Sequence, residues 1–104
     1  MSSQLTGLVP ILDGSNYPLW SKSMKAYLQS QGLWGYAHGA ITRPNDPDPA
    51  LPATEIATAV AAQAAWDRAN DMAAGNIVLR ITPSINENLI NLDTAEAVWD
   101  DLKD

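Results

Sequence analysis

Residues 15–34, SNYPLWSKSMKAYLQSQGLW, hold the start, the inner face and the stop of one amphipathic helix. Ser15 or Asn16 offers a capping oxygen, and Pro18 falls in the first turn, where a missing N–H costs little. Leu19, Trp20, Met24, Tyr27 and Leu28 return to one side at helical spacing, while Ser21, Lys22, Lys25 and Gln29 take the other. Gly32 stands at C′, where a left-handed residue closes a helix, and Leu33 follows where a Schellman motif makes its apolar contact.

Upstream, residues 1–16 read as an extended lead-in. Pro10 forbids a helix through Leu8 and Leu12, and Asp13-Gly14 marks a turn. Leu5, Leu8, Val9, Ile11 and Leu12 are too apolar to stay wet, so the segment is expected to lie on the domain as a strap, the alternative being a floppy tail.

Downstream, residues 37–53 form a loop with Gly39, Pro44, Pro47, Pro49 and Pro52. It reads either as a spacer between helices or as an exposed functional loop. Thr54 then opens a long alanine-rich helix, favoured by alanine's propensity and by the close packing a small side chain permits. Ala62, Trp66, Ala69, Ala73, Ile77 and Arg80 trace one stripe on it. Gly75 marks a bend or a tight contact, and Pro83 stops the helix. A short helix over 84–91 points Ile85, Leu89 and Ile90 inward. Asp93 caps a last helix whose apolar positions are Val98, Trp99 and Leu102, with Glu96 completing a capping box. The fold class is therefore all-α: about four helices in one small bundle over 1–104, with an extended N-terminal strap.

Composition bounds the function. The 104 residues suffice for one domain and one modest core. Four Trp and no Phe put the burden of that core on indoles. A net charge of -6 argues against direct binding of nucleic acid or of an anionic membrane surface. The lack of Cys excludes disulfides, thiolate zinc sites and Cys nucleophiles. The N-terminus has neither basic n-region nor apolar run, so no secretory signal is expected, and no stretch approaches a membrane span. These features predict an intracellular, cytoplasmic chain.

Catalytic constellations are weak. His38, the single histidine, sits between Ala37 and Gly39 in the loop, where an exposed imidazole is the ordinary reading. No Ser lies in a G-x-S-x-G context. Asp46/Asp48 and Asp100/Asp101 lack the preorganised cleft of a glycosidase pair, and Asp46-Pro47-Asp48 lacks the glycine and terminal Glu of an EF-hand loop. Gly32, Gly35 and Gly39 make no dinucleotide fingerprint. No enzyme activity, cofactor or metal is expected. Exposed indoles could stack on bases, but Trp20, Trp66 and Trp99 fall on apolar stripes and are expected in the core. Trp34, just past a helix end, is expected to pack over that terminus.

The ordered landmarks resemble those of copia-type (Ty1/copia) LTR retrotransposon Gag polypeptides. Leu12 to Trp20 resembles the family's F/L-x-G-x-N-Y-x-x-W entry. Met24, Leu28 and Gly32-Leu33-Trp34 continue it as M-x-x-x-L-x-x-x-G-L-W. Trp66, Ala73 and Ile77 match W-x-x-x-D-x-x-A-x-x-x-I, with Asn70 where the family usually has Asp. Thr94 to Leu102 looks like T-A-x-E-x-W-x-x-L, its glutamate one place early or replaced by Ala97. The signature positions are Tyr17, Trp20, Met24, Leu28, Leu33, Trp34, Trp66, Ala73, Ile77, Trp99 and Leu102.

The resemblance implies an all-α lobe like the N-terminal lobe of a retroviral capsid, part of a longer polyprotein. Family members continue to a second helical lobe, often a CCHC zinc knuckle, then protease, integrase and reverse transcriptase. The implied function is structural: many copies building a virus-like particle around the element's RNA through weak repeated contacts. The implied partner is self, with RNA held elsewhere in the parent. A rival reading is a domesticated Gag-like adaptor of the host, holding a peptide or protein in a helical groove near the strap. An enzyme built on His38 ranks last.

Overall fold

A computed structural model describes residues 9–89, 92 and 94–103. Helix α1, Tyr17–Ser30, ends in the expected Schellman geometry. Gly32 has φ 72°. Its N–H donates to Gln29 O at 3.1 Å and the Leu33 N–H to Leu28 O at 2.8 Å, while Leu28 and Leu33 are both buried. The start differs from expectation. Asn16 occupies the N-cap but makes no side-chain cap bond. Its amide turns back to brace the approach, accepting from Asp13 N–H and donating to Ile11 O. Leu19 is also a correction, at 62% exposed. The buried arc runs through Trp20, Met24, Tyr27 and Leu28, and Leu19 lies ~100° round from Trp20, beyond its edge.

A single helical turn, α2, covers Trp34–Ala37, and the long helix α3 runs over Ala53–Val78. A short α4, Pro83–Asn86, passes into a 3-10 turn, Glu87–Leu89. The last helix, α5, is Ala95–Lys103. No strand occurs among the described residues. The short helix expected over 84–91 is thus one α turn and one 3-10 turn, with Leu89 buried and Ile85 half-buried. Ile90, Asn91 and the Asp93 cap lie outside the described residues, as do Leu5 and Leu8. Thr94 takes the N-cap role at α5, its hydroxyl accepting from Ala97 N–H at 3.1 Å.

Helix α3 ends at Val78, short of Pro83. After a turn at Leu79-Arg80, residues 81–82 are drawn into extended backbone, partly because Thr82 precedes a proline, and partly because Ile81 bridges Leu12 in parallel. This bridge docks the strap. Leu12 N–H donates to Arg80 O at 2.8 Å and Thr82 N–H to Leu12 O at 3.0 Å, and Val9 and Leu12 are buried while Ile11 stays exposed. Arg80 is therefore no member of an apolar helix stripe. Its guanidinium donates from Nε and Nη2 to Val9 O, and its own carbonyl also accepts the Trp20 indole N–H at 2.9 Å. Arg80→Met keeps the stem and removes the donors, so Val9 O loses its partners. The expected cost is ~1–3 kcal/mol, with faster amide exchange at Leu12. Unchanged protection there would mean that apolar burial alone holds the strap.

The core gathers where α1, α2, the C-terminal half of α3 and α5 meet. Trp20, Met24, Leu28, Ala37, Ala73, Ile77 and Ala95 are fully enclosed. From α3 the buried positions are Gln63, Asn70, Ala73 and Ile77. Ala62 is exposed and Trp66 and Ala69 are half-buried, which corrects the expected stripe. The cause is length: 26 residues make a rod of ~39 Å, longer than the core it serves. The N-terminal part of α3 projects, and the molecule measures 53 × 30 × 19 Å. Gly75 makes neither a bend that ends the helix nor a tight contact, since a Cβ there would meet nothing within 4 Å.

Candidate functional site

The indoles form a chain through the core. α1 delivers Trp20 and α5 delivers Trp99, and the rings stack with centroids 5.6 Å apart at 25°. Trp34, first residue of α2, meets Trp99 edge-on at 5.1 Å and 82°. Trp34 is half-buried; His38 stacks on it at 4.7 Å and Lys25 Nζ lies 5.3 Å from its centroid. Tyr17 tilts against Trp20 at 6.2 Å. With Trp20 at 0% and Trp99 at 6% exposure, neither offers a face to a base. Leu33 is buried with this cluster, and Tyr17 and Leu102 pack half-buried against it.

Trp66 does something else. It sits outside the buried core, 6.1 Å from Tyr36, and its indole N–H donates to Ile41 O at 2.9 Å. Arg43 forks onto Asp67 at 2.8 and 3.1 Å. Gln63 Nε2 donates to Pro44 O and to Asp46 Oδ1. The proline-rich loop is thus laid along α3. The Arg43 guanidinium, through its hydrogen bond, holds the Asp67 carboxyl below its ordinary 3.8. A lowered pKa stabilises the folded state above the ordinary value and ceases to do so as pH falls through the lowered one. The clamp is expected intact at pH 5–7 and released only below pH 3.8, read as loss of the Arg43 Nε–H signal's protection. Release near pH 5 would contradict the pairing.

Among the described residues the chemistry-bearing groups do not converge. His38 is exposed, its Nδ1–H donating to Trp34 O at 2.7 Å. Asp46 serves Gln63, Asp48 accepts from Ala50 N–H, and Asp100 pairs with Lys103. Among the described residues no three His, Asp or Glu gather as a metal site. No described helix is long and apolar enough to cross a membrane.

What remains is surface. A groove of about 420 Å³ runs beside the strap, lined by Leu12, Tyr17, Ile85 and Leu102 with Asp101 and Lys103 at its rim. Elsewhere, Met72 of α3 and its C-cap residue Leu79 are 54% and 72% exposed.

A family model described as the gag-polypeptide of LTR copia-type matches residues 24–104. The chain belongs to this family. No curated protein and no solved structure matches it.

The match takes in the Met24–Trp34 block, the α3 block and the α5 block of this copia-type Gag chain; Tyr17 and Trp20 precede it. The α3 block contains a contact that spacing alone did not reveal. Asn70 is buried, and its Oδ1 accepts the Ala95 N–H at 2.9 Å. It closes the first turn of α5 from across the bundle. An aspartate at this position would offer the same acceptor. Gln63 and Arg80 were likewise hidden. A polar residue inside a helical stripe signals a buried hydrogen bond only once its partner is known.

Proposed function

We propose that this Gag domain is a structural, self-assembling unit of a virus-like particle that packages the element's RNA in the cytoplasm. The observation that carries the reading is the family match over an all-helical domain. The rest agrees in kind. The tryptophan chain makes the unit rigid, and rigidity lets individually weak contacts add up in a closed shell. The net charge of -6 speaks against direct RNA contact by this domain. No catalytic role is part of this reading.

Electron microscopy of the Gag polypeptide that contains this chain tests it. Regular closed particles enclosing RNA are the expected result. A monodisperse small species under assembly-promoting salt and concentration would sink it. The groove beside the strap favours a second reading, an adaptor that holds a peptide between Tyr17, Ile85 and Leu102. A small species that copurifies with a bound peptide would select that reading instead.

A further inference from the structure

Helix α3 is apolar on two sides and covered on one. Asn70, Ala73 and Ile77 face the core, while Ala57, Ala61, Ala65, Met72 and Leu79 lie roughly opposite and exposed. Along this row the side chains are graded: the N-terminal ones, Ala57, Ala61 and Ala65, are small and the C-terminal ones, Met72 and Leu79, are large. One exposed cation, Arg68, stands near the middle of the face and makes no ion pair among the described residues. The exposed carboxylate Asp71 lies one turn on.

We propose that this face pairs with the same face of a second copy, two α3 helices crossing antiparallel about a two-fold axis near Arg68. Three features on the helix single out a second copy as the occupant. Antiparallel pairing sets large against small: Leu79 falls opposite Ala57 of the second copy, and Met72 falls between its Ala61 and Ala65. The two-fold axis also brings each Arg68 within reach of the other copy's Asp71, making two reciprocal ion pairs across the contact. The projecting arm of α3 then lies along the body of the second copy. The single chain is already elongated, with a radius of gyration of 15.8 Å against about 13 Å for a compact domain of this length. The contact runs ~33 Å, from residue 57 to residue 79. An isologous contact of this kind supplies one of the repeated interfaces of a shell, so the inference rests on the self-assembly reading.

Sedimentation equilibrium on the chain up to ~1 mM is the test, with charge-reversal variants at positions too exposed to disturb folding. The wild type is expected to dimerise. Arg68→Glu and Asp71→Arg should each weaken the dimer about tenfold, because every substitution counts twice across the axis. The double variant Arg68→Glu/Asp71→Arg should recover most of that loss. Association unaffected by Arg68→Glu would overturn this surface and leave self-assembly standing. A chain monomeric throughout would overturn the pairing and give the face to another protein. Particle formation would then be judged by microscopy alone.

Discussion

Trp20→Ala is expected to unfold a substantial fraction of the molecule at 37 °C. Trp20 is fully buried, stacks on Trp99 and donates its indole N–H to Arg80 O. Removing it takes out a large apolar area, opens a cavity between α1 and α5, and leaves that carbonyl short of one donor. Truncations of buried aromatics cost ~3–5 kcal/mol, a large part of the 5–15 kcal/mol that holds a typical domain. Thermal unfolding followed by near-ultraviolet circular dichroism reads it directly, because the coupled indoles dominate that signal. Trp20→Phe refills most of the cavity and should recover more than half of the loss. A melting temperature within 2–3 °C of wild type for Trp20→Ala, worth less than ~1 kcal/mol, would remove Trp20 from the centre of the core. Trp99→Ala, with the ring 6% exposed between Trp20 and Trp34, belongs to the same range.

Asn70→Ala should lower stability by ~1–3 kcal/mol, the cost of leaving a buried donor unmade. The orphan is the Ala95 N–H, which points at Asn70 from the first turn of α5. The loss should concentrate there: faster amide exchange in residues 95–99 and little change in α1. Asn70→Asp separates this from a packing defect. A carboxylate accepts the same N–H, and its charge suits the positive end of a helix, though burial works against it. Stability close to wild type at pH 7, falling as the acid is protonated, is the expected profile. Equal damage from Ala and Asp would show that shape, and not the accepted hydrogen bond, is what position 70 supplies.

Much of the architecture follows from local rules acting on local residues. The α1 stripe, its Gly32-Leu33 stop and the helical character of the alanine-rich stretch depend on interactions within a few residues, where propensity, capping and periodicity operate. Family membership was legible for a related reason: the blocks around Met24, Trp66 and Trp99 keep their order and spacing along the chain. Net charge and the absence of Cys set their limits without any fold at all.

Partner choice across the fold was decided elsewhere. Leu19 and Leu28 look alike in a periodic pattern, yet 62% of one is wet and none of the other. Which side of an amphipathic helix is covered at its edge depends on neighbours far along the chain. Trp66 and Trp99 both ride apolar stripes, but the apolar residues that α3 sends into the core, Ala73 and Ile77, lie beyond Trp66, so Trp66 pins a loop and Trp99 fills the core. Arg80 and Asn70 gain meaning only from Val9, 71 residues upstream of the first, and Ala95, 25 residues downstream of the second. A hydrogen bond between such positions leaves no period in the sequence, because it is the packing of helices against one another that brings donor to acceptor.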